Sequence, residues 1–114
     1  MADRTMIAIV MTEARAAAEN EETFEGKLRA AMKSAAHHWM VLDEPTQQQG
    51  ALAAVLDLVG PESDEGRRIQ HEMKIHRALQ AASSGIPVDF GAMLEGDAPE
   101  PIGLAKLWTE AKGA

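Results

Sequence analysis

The chain has 114 residues, eighteen acids against eleven bases for a formal charge of -7, 46% apolar residues and no cysteine. One domain with a modest core is the expectation at this length, and the missing cysteines exclude disulfide frameworks, thiolate metal sites and thiol nucleophiles. The negative charge opposes direct binding to phosphate backbones.

Alanine and methionine supply much of the apolar content, with two Phe, two Trp and no Tyr, a composition that suits closely packed helices. The fold class read from the pattern is all-α: a small bundle of four main helices plus a short C-terminal helix. Residues 1–85 would form the four-helix core, and 86–114 an irregular segment and short helix packed on the same domain.

The first helix is expected from Arg4 to Glu19, with Met6, Val10, Ala14 and Ala17 on one face and Ile7, Met11 and Ala18 widening it. Met6 to Met11 is the one stretch that competes as a short strand. Asp3, Glu13 and Arg15 interrupt the apolar character, so the reading is a soluble cytoplasmic protein without a leader or membrane span. Glu19 to Glu25 then reads as an acidic turn in which Thr23 caps the next helix.

Phe24, Leu28, Ala31, Met32, Ala35, Trp39 and Leu42 make the clearest helical stripe, which predicts the central helix of the core. His38 falls on its flank and His37 faces outward. Asp43-Glu44-Pro45 ends that helix and starts another, which carries Leu52, Val55, Leu56 and Val59 and stops at Gly60-Pro61. A fourth helix is expected from Ser63 or Asp64 to Ser83, where Ser83-Ser84-Gly85 is a stop signal. Ile86 to Pro101 holds three prolines and four acids and no Lys or Arg; it reads as a meander with one helical turn near Phe90 to Leu94. Gly103 to Lys112 reads as a short amphipathic helix with Leu104, Leu107, Trp108 and Ala111 on one side.

Arg67 to His76, RRIQHEMKIH, comes within one residue of a zinc-protease motif, which needs His-Glu-x-x-His so that both imidazoles share a helix face. His71 and His76 are five apart, about 140° around the helix, too far for one metal. The same wheel places His76 in an apolar arc, between Ile69 and Met73 on one side and Ile75 and Leu79 on the other. Arg67, Gln70, Lys74 and Arg77 occupy the opposite face. Arg68, Glu72 and His76 form a column at four-residue spacing, so Glu72 is expected to accept from Arg68 and from His76.

No Gly-x-Ser-x-Gly elbow and no Gly-rich phosphate loop occurs, and no cofactor motif is found. The functional expectation is a non-enzymatic protein-binding or regulatory protein acting through helix faces and an acidic surface. Its interaction candidates are Arg68, Glu72 and His76, the acids Glu21, Glu22 and Glu25, and Leu104, Leu107 and Trp108. The partner is another protein, one with a basic surface if the acids converge, and a symmetric homodimer is a further expectation. In charge and size alone the chain resembles small phage or mobile-element inhibitors, such as anti-CRISPR proteins, that block a nucleic-acid-processing complex by occupying a basic groove. The alternative from another class is a metal-dependent helical enzyme using His38, Glu72 and His76.

Overall fold

The computed structural model describes residues 4–41, 43–93 and 98–113. They form α1 (Arg4–Ala18), α2 (Phe24–Ala36), α3 (Glu44–Val59), α4 (Asp64–Ser83), a single turn α5 (Phe90–Met93) and α6 (Leu104–Gly113). Among the described residues there is no strand, and no helix is long and apolar enough to cross a membrane. Leu42 and Leu94, expected to close α2 and α5, lie outside the described residues, as do the acids Glu95 and Asp97.

Local chemistry sets most of the boundaries. Thr23 Oγ1 accepts from the Gly26 N–H at 2.9 Å, and Ser63 Oγ accepts from the Gly66 N–H at 2.9 Å. Each cap satisfies one orphan donor and is worth about 1 kcal/mol. Pro45 sits in the first turn of α3, where its missing N–H costs nothing. After α4, Gly85 takes φ 83° while the N–H groups of Gly85 and Ile86 bond back to the carbonyls of Ala82 and Ala81. This is the double bond of a Schellman stop, and it needs glycine in the left-handed region.

Two expectations change. The apolar stripe continues to Trp39, yet α2 ends at Ala36 and Trp39 is 79% exposed. Backbone beyond Ala36 is redirected by the buried His38 ring, whose Nδ1 accepts from the Met40 N–H at 3.3 Å. Secondly, the central helix is α3, which packs on α1, α2 and α4, whereas α4 packs chiefly on α3 and α6 chiefly on α2. Small residues allow this: Gly50, Ala51 and Ala54 are buried beside Leu52 and Val55, so neighbours approach α3 from several sides. Burying one side chain such as Leu52 contributes roughly 1.5–3 kcal/mol.

On α1, Val10, Ala14 and Ala18 are buried, while Ala17, expected on that face, is exposed. Within α4 only Gly66 and Ile69 are fully buried; Met73 and Ile75 are half-buried and Leu79, expected in the apolar arc, is 54% exposed. The covered side of α4 is centred on Ile69 because α3 is its one extensive neighbour.

Candidate functional site

The α4 column proves to be a clasp. Arg68 Nε donates to the Glu100 carbonyl at 2.9 Å and Nη2 to the Pro101 carbonyl at 3.1 Å, with the guanidinium carbon 5.1 Å from the centre of the Phe24 ring. One turn on, Glu72 Oε1 accepts from the Ile102 N–H at 3.4 Å. Arg68 and Glu72 therefore engage the 100–102 segment, not each other as the spacing led us to expect. A segment with prolines at 99 and 101 offers carbonyls but few N–H groups, and an arginine fork supplies the donors it lacks.

His76, half-buried, takes a separate partner: its Nδ1 lies 2.7 Å from Nε2 of the buried Gln49. An amide nitrogen donates, so Nδ1 accepts and the ring proton is on Nε2. Burial holds His76 below its ordinary 6.5, with the Glu72 carboxylate acting in the opposite direction. The sign follows from linkage. Between the lowered folded value and 6.5 the unfolded chain binds more protons at this site, so the neutral ring stabilises the fold fully above 6.5 and that contribution is lost as pH falls. Urea midpoints should drop between about pH 8 and about pH 5.5, and His76→Gln should shrink the drop. An unchanged drop in the variant would remove His76 from the account.

Asp43, Pro45, His76, Leu79, Gln80, Ser83 and Ser84 line an open groove of about 530 Å³. Serine, histidine and aspartate thus meet at one place, but they form no relay. Ser83 Oγ donates to the Leu79 carbonyl, Asp43 Oδ2 accepts from Thr46 Oγ1 at 2.8 Å, and His76 Nδ1 is taken by Gln49. Nor do His38, Glu72 and His76 come together. His38 Nε2 lies 3.1 Å from Glu13 Oε2, out of line for a hydrogen bond. Among the described residues, no group of three or more His, Asp or Glu is placed to hold a metal ion.

Trp39 is the feature that periodicity hides. Trp39 and Met40 are the corner residues of a turn closed by the Val41 N–H on the His38 carbonyl. Both flanks are buried: His38, and Val41, whose carbonyl accepts from Gln47 Nε2 at 2.6 Å. The turn is therefore pinned while its two large side chains point outward, Met40 being 46% exposed. The chain leaving it reaches Asp43 and Pro45, at the lip of the groove that Leu79 also lines. Ile86, 57% exposed, follows the end of α4. These are the exposed large apolar side chains among the described residues.

The acids divide. Glu21, Glu22 and Glu25 are exposed before and within the first turn of α2, and Asp64 and Glu65 open α4, one turn before the Arg68 that reaches Phe24. Glu100 meets Arg68 through its backbone carbonyl. One charge there is answered, Glu25 pairing with Arg29 at 2.8 Å, while Lys27 bonds the backbone carbonyl of Glu21 and not its carboxylate. Glu44 stands apart, paired with Lys112 at 2.6 Å, which holds its carboxyl below the usual range.

The C-terminal helix docks on its own bundle. Leu107, Trp108 and Ala111 are buried and Leu104 is half-buried, with α6 lying on α2. His37 completes the join, its Nε2 donating to the Ala111 carbonyl at 2.9 Å. Leu107 and Trp108 are core residues rather than a free surface. No protein family, curated protein or solved structure matches this chain.

Proposed function

We propose that the chain is a non-enzymatic protein-binding or regulatory module, a single bundle of four main helices with α6 docked on it, that engages a partner protein through the Trp39 turn and the adjoining groove. The observation that carries this reading is Trp39 itself, 79% exposed on a turn whose neighbours are buried. An exposed indole is a large apolar surface with one polar handle, and tryptophan is among the residues that dominate interface energetics. A turn already ordered by His38 and Val41 also lowers the conformational cost of docking. The partner is one with an apolar pocket that receives the indole, with Met40, the other exposed corner residue of the turn, beside it.

Trp39→Ser should leave folding stability within about 0.5 kcal/mol of the parent, as expected for an exposed site, while weakening the complex by at least about 2 kcal/mol. The measurement is a photo-crosslinker placed at position 40, beside the retained Trp39, with exposed position 17 as control, in extract of the native host. A single adduct at 40, abolished by Trp39→Ser, supports the surface; equal labelling at 40 and 17 sinks it.

A second reading rests on the acids at two helix starts, Glu21, Glu22 and Glu25 before and within the first turn of α2 and Asp64 and Glu65 in the first turn of α4. Negative surface of this kind is able to occupy a basic groove on a nucleic-acid-processing complex, as a phage-type inhibitor does. Binding of that kind weakens steeply with salt; capture that is indifferent to salt counts against it.

A further inference from the structure

The chain is acidic overall, yet the outward side of α4 carries a run of nitrogen bases. Arg67, His71 and Lys74 follow one another at three- and four-residue spacing, so they share a face. With Arg68 they line an open groove of about 630 Å³, whose other wall is the segment from Ala98 to Glu100. This groove is separate from the docking surface at Trp39.

Among the described residues its donors are largely uncommitted. Arg67 approaches Asp64 only to 3.9 Å, beyond a hydrogen bond. No side-chain partner is found for Lys74 or His71 among the described residues. Arg68 differs in being fixed: two of its N–H groups hold the carbonyls of Glu100 and Pro101, and its face rests on Phe24. The rest of its fork is thereby set in one orientation without being used up. A guanidinium held in place binds a tetrahedral oxyanion at lower entropic cost than a free one. A ligand-sized groove, two guanidinium groups and an ammonium together match a phosphate group. Asp64 and Glu100, at the edges of the same groove, supply acceptors only. They would repel a bare polyanion and suit a ligand that also presents hydroxyl groups.

We propose that this groove binds a small phosphorylated polyol, with its phosphate on Arg67, Arg68 and Lys74 and its hydroxyl groups on Asp64 and Glu100. His71, between Arg67 and Lys74 on the same face, can add a donor to the phosphate. Among the described residues the lining holds no aromatic side chain to serve as a stacking platform, so the sugar and phosphate carry recognition and a nucleobase adds little.

The test is an amide NMR titration of the full chain with ribose 5-phosphate, and with ribose and inorganic phosphate in parallel. Saturable shifts confined to Arg67 through Lys74 and to Ala98 and Glu100, at submillimolar affinity, are expected. Ribose should be silent and inorganic phosphate at least about tenfold weaker. Arg67→Gln and Lys74→Gln change exposed side chains, so the fold is kept, and each should weaken ribose 5-phosphate by about tenfold. No saturable shift into the millimolar range, shifts elsewhere on the molecule, or unchanged affinity in both variants would overturn the site. Inorganic phosphate binding as tightly as the sugar phosphate would overturn the polyol assignment, and ribose binding as tightly would overturn the phosphate assignment.

Discussion

Replacing Gly66 with alanine should destabilise the protein by about 3 kcal/mol, although the same change in an exposed helix adds about 1 kcal/mol of helix propensity. The reason lies at the α3–α4 corner. A Cβ on Gly66 would collide with the Gly60 carbonyl oxygen and stand 3.0 Å from both the Gly60 carbonyl carbon and the Pro61 Cα. All three are backbone atoms, so no rotamer change relieves the contact. Gly60 is itself held at φ 87° and its carbonyl accepts from Ser63 Oγ at 2.8 Å, which ties the obstacle to the α4 cap. The corner must open, and α4 loses its two fully buried residues, Gly66 and Ile69. Urea unfolding measures the loss. Native-state hydrogen exchange should show the α4 amides released before those of α1 to α3. An alanine variant as stable as the parent would mean that the two helices do not meet as described.

Gly50→Ala should cost about 2–3 kcal/mol by the same class of mechanism against a different obstacle. Here the added Cβ would sit 2.5 Å from Val10 Cγ1 and 2.7 Å from Val10 Cβ, with the Met11 nitrogen at 3.3 Å. Val10 is fully buried and β-branched, so its χ1 on a helix has one strongly preferred setting. Relief requires α1 to move away from α3, in the most closely packed part of the core. A double-mutant cycle checks the assignment: Val10→Ala should cost less in the Gly50→Ala background than in the parent, because part of the clash leaves with Cγ1. Additive effects would place the strain elsewhere.

How far the sequence speaks depends on whether the cause is local. Thr23, Ser63, Gly60 and Gly85 act on their own helix ends, and the boundaries they announce match the observed ones within a residue. The end of α2 has no such marker. It is decided by His38 packing near Glu13 and by His37 reaching Ala111, contacts between residues far apart in the chain. An apolar stripe shows which face is buried if the helix continues, and says nothing about where it stops. The central position of α3 did leave a trace, since Thr46 to Leu56 carries no charge. A narrow stripe of large residues drew attention to α2 instead. In α4 the four-residue column of Arg68, Glu72 and His76 was legible as a set on one side of the helix. The identities of its partners, Glu100, Pro101, Ile102 and Gln49, were not, because spacing within a helix carries no information about the segment laid across it.

The opposite fates of the two tryptophans give the molecule a pair of optical channels. Trp39 stands in solvent and Trp108 is buried against the bundle, and there is no tyrosine to blur their ultraviolet signals. Acrylamide should quench the red-shifted emission of the first and spare the blue-shifted emission of the second. Occupation of the outer surface and loss of the inner packing can then be followed separately in one cuvette, on the unlabelled chain.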